Sequence, residues 1–77
     1  MKFTAELTDL FCGEANYGWV RRAEFTLPDS ASDLAIVRKA KAELGLAGVR
    51  CRRVDLGEAI ELRPYESLTV AFISPSY

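Results

Sequence analysis

The sequence predicts an α+β fold in a single domain: ββαβββ in order, an antiparallel sheet with one helix packed on one face. Three observations lead there. Residues 2–8 and 18–27 alternate apolar and polar side chains with a period of two. Residues 30–46 carry apolar side chains at helical spacing between a serine and a glycine. Residues 49–73 break into short apolar runs separated by Gly57 and Pro64. With 77 residues and 49% hydrophobic side chains, the chain supports one small core spanning 1–77.

In the first strand, Phe3, Ala5 and Leu7 face one way and Lys2, Thr4, Glu6 and Thr8 the other. Gly13 and Asn16 interrupt the pattern, so residues 11–17 are expected to form a loop. The second strand places Trp19, Arg21, Ala23, Phe25 and Leu27 on the core face and Val20, Arg22, Glu24 and Thr26 on the other. Pro28-Asp29 stops it, and Ser30 is expected to cap the helix, with Asp33 three residues on. Leu34, Ile36, Val37, Ala40 and Leu44 form the apolar side of that helix. Gly45 stands where a left-handed terminator is wanted, with Leu46 to cover it. Residues 49–55 form the next strand, with a bulge or strand end expected at Arg53-Val54. Ala59–Leu62 and the apolar run 68–73 supply the last two strands.

The composition removes several kinds of chemistry. No histidine is present, so a Ser-His-Asp triad, a Cys-His pair and a histidine-ligated metal site are all excluded. Cys12 and Cys51 stand alone, outside any CxxC pattern. They are expected to be reduced thiols, with a disulfide between them as the alternative. No metal, no cofactor and no catalytic residue is expected. No apolar stretch is long enough to span a bilayer and the first ten residues hold no leader-like apolar core, so a cytoplasmic protein without membrane contact is expected.

Charge is unevenly placed. The formal total is −1, but residues 1–18 carry −2, residues 19–53 carry +4 and residues 54–77 carry −3. If Arg21, Arg22, Arg50, Arg52 and Arg53 met on neighbouring strands, they would form a basic patch suited to phosphate or carboxylate. Paired with Glu24, Asp55 and Glu61, they would form a solvated sheet face instead. The acidic residues Glu6, Glu14, Asp55, Glu58, Glu61 and Glu66 serve either as one acidic surface or as ordinary solubilising charge. Tyr17, Trp19 and Arg21 form a second constellation, of the residue types that dominate protein interfaces. As a core-face charge, Arg21 needs a partner, for which Trp19 offers a stack and Glu14 a carboxylate. The same three residues serve equally as a plug at the edge of a small core.

The stretch Gly13-Glu14-Ala15-Asn16-Tyr17-Gly18-Trp19-Val20-Arg21-Arg22 resembles a motif of small proteins encoded by bacteriophages and integrated mobile elements. Val37–Lys41 with Gly48–Arg52, and Ala59–Pro64, extend the resemblance over most of the chain. It implies a compact non-enzymatic inhibitor of host defence, in particular an anti-CRISPR protein that binds the effector complex and blocks target DNA. Tyr17, Trp19, Arg21, Arg22, Arg50, Arg52 and Arg53 are the candidate contact residues for that partner. The alternatives are a nucleic-acid-binding accessory protein using the arginine-rich sheet, and a module that dimerises through residues 68–73. A monomer or weak homodimer is expected.

Overall fold

The computed structural model describes residues 1–76. The elements follow as β1 (Lys2–Phe11), β2 (Glu14–Thr26), α1 (Asp33–Glu43), β3 (Cys51–Asp55), β4 (Ile60–Pro64) and β5 (Thr69–Pro75). The strands form one antiparallel sheet in the order β2-β1-β5-β4-β3. The single-domain ββαβββ architecture is therefore as the sequence predicts. The last strand in sequence lies at the centre, between β1 and β4. Both of its edges are used, so residues 68–73 cannot offer the dimerising edge that the sequence suggested; the free edges are β2 and β3.

One face of the sheet carries the core. Phe3, Ala5 and Leu7 of β1 pack with Phe25 of β2, Leu62 of β4 and Ala71 and Ile73 of β5. Their alternation is what the period-two pattern requires. The helix closes this face with Val37, Ala40 and Leu44, and Phe3 stacks on Phe25 at 5.5 Å between ring centroids. Leu34, assigned to the same helix side, is instead 54% exposed. It lies in the first turn, off the stripe that meets the sheet.

The cap differs by two residues from the sequence expectation. Ser32, not Ser30, is the N-cap: its Oγ accepts from the Ala35 N–H at 3.2 Å. Pro28-Asp29-Ser30 is spent on a turn, closed by Ala31 N–H donating to the Pro28 carbonyl. Asp33 is then the first helical residue, where its charge suits the positive end. The helix ends as predicted. Leu44 is the C-cap and Gly45 has φ +76°, a value that strains any residue with a Cβ. Leu46 N–H donates to the Lys41 carbonyl and Gly45 N–H to that of Ala42, completing a Schellman motif.

The β1–β2 connection is much tighter than the predicted loop. Only Cys12 and Gly13 turn the chain, both at positive φ (53° and 81°). That is the signature of a two-residue type I′ hairpin, and it returns Glu14 directly opposite Phe11. Cys12 is exposed and Cys51 half-buried against the core; both are free thiols. The bulge expected at Arg53-Val54 is absent. Cys51 to Asp55 pair without interruption with Pro64 to Ile60. Arg53 thus falls on the helix side and Arg52 on the open side.

Candidate functional site

The irregularity lies in β2. Leu10 pairs with Ala15 and Thr8 with Val20, so the single residue Asp9 stands against Asn16, Tyr17, Gly18 and Trp19. The four residues swell out of the edge strand as a large, irregular bulge. Asp9 holds it shut. One carboxylate oxygen accepts from the Asn16 amide and the other from the Gly18 N–H, both at 2.9 Å. The Asn16 amide is the main influence holding the Asp9 carboxyl below its ordinary pKa. Partial desolvation opposes it, and the Gly18 N–H adds to the lowering.

Thr8 makes the second tie. Among the described residues it is the buried polar one, at 0% exposure, and its hydroxyl donates to the Trp19 carbonyl at 2.7 Å. Gly18 is fitted to the site: a Cβ there would lie 3.0 Å from Asp9 Oδ2 and 3.2 Å from Asn16 Nδ2. Tyr17 takes φ +56°, a conformation uncommon for a residue with a bulky side chain. Two large aromatic side chains result on the bulge, Tyr17 at 55% and Trp19 at 46% exposure. A strained backbone held by a carboxylate and a buried hydroxyl presents them in a fixed arrangement.

The other candidate residues do not join them. Arg21 follows the bulge on the helix side, but it neither stacks on Trp19 nor pairs with Glu14. Its guanidinium donates to the Leu44 carbonyl at 3.1 Å, capping the negative end of α1. This replaces the partner proposed from sequence, because the helix end packs over β2 where local periodicity has no view of it. Arg22 points to the open face and pairs with Glu6 at 3.1 Å. Arg50, Arg52 and Arg53 lie at or beside β3, the far edge of the sheet. The single basic patch therefore does not form: three strands separate the two arginine clusters.

Arg53 is further committed, bridging Asp55 within its strand at 3.1 Å and Asp33 at the helix start at 3.2 Å. Bonding to Asp55 is the main cause that raises its pKa above the usual value. The acidic set is dispersed as well. Glu6 pairs with Arg22, Glu61 with Arg63 and Asp55 with Arg53, so no single acidic surface assembles.

A cleft of about 420 Å³ opens at the sheet end remote from the bulge. Phe3, Ile36, Ile60 and Ile73 line it, with Asp29, Asp33, Asp55 and Glu58 around them. Asp33 and Asp55 are already bound by Arg53. Among the described residues no group of three or more acidic or thiol side chains is placed to hold a metal ion, and no helix is long and apolar enough to cross a membrane.

Sequence reasoning singled out Tyr17 and Trp19 as candidates, but it expected Trp19 on the core face, where the bulge instead leaves it 46% exposed, and it missed Thr8 and Asp9, which hold them. Asp9 sits where β1 should show an apolar core-face residue after Leu7. A carboxylate at that position followed by Asn-Tyr-Gly across a hairpin is the signal that was there to find. No protein-family model, no curated protein and no solved structure matches the chain.

Proposed function

We propose that this chain is a non-catalytic binding protein that inhibits a host defence complex, most concretely an anti-CRISPR protein that occupies the effector complex and denies it target DNA. The partner class follows from the resemblance to small phage and mobile-element proteins. The observation that supports a binding role is the bulge: Tyr17 and Trp19 are held exposed by Asp9 and Thr8. Rigid exposed aromatics lose little side-chain freedom on docking and are frequent interface anchors. Arg22, three residues beyond Trp19 and exposed on the same strand, supplies a charged flank. The alternative role in nucleic-acid binding has less support, since the arginines are split between opposite edges.

The test is inhibition of target-DNA cleavage by a purified effector complex titrated with the purified chain. Inhibition is expected to saturate near one chain per complex. It is expected to fall at least tenfold in the double variant Y17A/W19A while the melting temperature holds. No inhibition and no co-migration with the complex would overturn the anti-CRISPR assignment. Inhibition that survives Y17A/W19A would overturn the assignment of the contact. Direct DNA binding that weakens steeply with salt would favour the alternative.

A further inference from the structure

We infer that a second copy of this chain pairs antiparallel along the free edge of β2, in the register that sets Arg22 opposite Glu24 of the other copy. This inference stands independently of the proposed inhibitor role.

The hydrogen-bond parity of β2 fixes which backbone groups are free. Leu27 N–H donates to the Met1 carbonyl at 3.0 Å, and the Met1 amino group donates back to the Leu27 carbonyl at 2.7 Å. Leu27 and Met1 are thus a mutually bonded pair, one step beyond Thr26 and Lys2 in the same register. Antiparallel ladders alternate, so Phe25, Ala23 and Arg21 also turn their N–H and C=O groups toward β1. Val20, Arg22, Glu24 and Thr26 turn theirs outward. The β1–β5 ladder agrees: Leu10 N–H donates to Leu68 and Ser76 N–H to Lys2, so even residues of β1 serve β5 and odd ones serve β2.

An antiparallel neighbour must match outward residue to outward residue. The side chains then choose among the registers. Setting Arg22 against Arg22 or Glu24 against Glu24 juxtaposes like charges, which is unfavourable in a directly opposed pair. Centring the two-fold axis on Ala23 sets Arg22 against Glu24 twice and Val20 against Thr26 twice, each pair exchanging two backbone bonds. Within each chain Arg22 already pairs with Glu6 and Glu24 with Lys2. The dimer would extend these into a row of alternating sign across the joined sheets, with both charges of each pair on the open face.

The edge bulge is confined to residues 16–19 and leaves the stretch beyond it open to pairing. Residues 20–26 contain no proline and no lysine, and the strand runs regularly from Val20 to Thr26. Pro28 lies just outside the pairing span, and the bulge at 16–19 ends it at the other side. The opposite edge, β3, is five residues long, and its outward Arg53 and Asp55 are already clamped to each other and to Asp33.

The test is molar mass by sedimentation over a wide concentration range. The wild-type chain is expected to move from 8.6 kDa toward twice that value as concentration rises. R22E and E24R are each expected to raise the dissociation constant at least tenfold. An equimolar mixture of the two variants restores opposite charges at both positions and is expected to dimerise again, although each variant has lost an internal ion pair. A merely structural role for these residues would give no such recovery. In a C12S/C51S background, A23C is expected to cross-link across the two-fold axis, where opposed Cα atoms lie within disulfide reach. A mass that stays at one chain at every concentration would overturn the proposal. So would a dimer indifferent to R22E that cross-links through V54C on β3.

Discussion

Thr8→Val gives the sharpest test of what holds the aromatic bulge. The substitution keeps the branched shape and removes the hydroxyl that reaches the Trp19 carbonyl at 2.7 Å. A neutral hydrogen bond of this kind contributes about 0.5–1.5 kcal/mol. Trp19 lies in an exposed bulge, so water takes over part of the freed carbonyl and the cost stays below that of a fully buried orphan. The added methyl group, at a position with 0% exposure, returns some apolar burial. The net loss is therefore about 1 kcal/mol, which for a domain of this size lowers the melting temperature by roughly 4–8 °C. Thr8→Ser is the control. It keeps the donor and deletes a fully buried methyl, at a comparable cost of about 1 kcal/mol. The assay pairs thermal unfolding with Trp19 emission, an unambiguous probe because the chain has one tryptophan. Thr8→Val is expected to move the emission of the folded protein and Thr8→Ser to leave it in place. If both variants lost stability equally and neither moved the emission, the hydroxyl would be a packing element only. The idea that it holds the bulge would then be refuted.

Three further outcomes follow from the same geometry. Ser32→Ala is expected to cost about 0.5–2 kcal/mol and Ser30→Ala close to nothing, a contrast read by denaturant melts that identifies the true cap. Leu44→Ala empties a fully buried site under the sheet and is expected to cost about 2–5 kcal/mol. At roughly 0.05–0.15 kcal/mol per residue for whole-domain stability, that is enough to leave the chain marginal, checked by the unfolding midpoint. The Asp9 carboxyl is held below its ordinary pKa, so its contribution is complete above the unfolded carboxylate value and lost as pH falls through the folded one. Trp19 emission is expected to hold through neutral and weakly acidic pH and to shift only in strong acid. Asp9→Asn is expected to abolish that acid transition.

The sequence by itself determined the order of elements, the core face of β1 and the helix terminator. Phe3, Ala5 and Leu7 read correctly because a strand places alternate residues on one face whatever its neighbours are. Gly45 and Leu46 read correctly because a helix C-cap is a local affair of a few consecutive residues. The N-cap was ambiguous for the same local reason: Ser30 and Ser32 both fit, and the turn at Pro28 decided between them.

What periodicity could not supply was anything that depends on which strands become neighbours. Two arginine pairs with similar surroundings in sequence, Arg21-Arg22 and Arg52-Arg53, end at opposite edges because β5 inserts between β1 and β4. Arg21 found its partner in the Leu44 carbonyl, twenty-three residues away, because the helix crosses over β2. The bulge was hidden by the regular alternation on either side of it, and only the pairing of Thr8 with Val20 and Leu10 with Ala15 reveals that Asp9 opposes four residues. Local side-chain pattern fixes which way a residue points along its own strand. Register and strand order are set by long-range pairing, and these decided that Tyr17 and Trp19 stand out together while the arginines part.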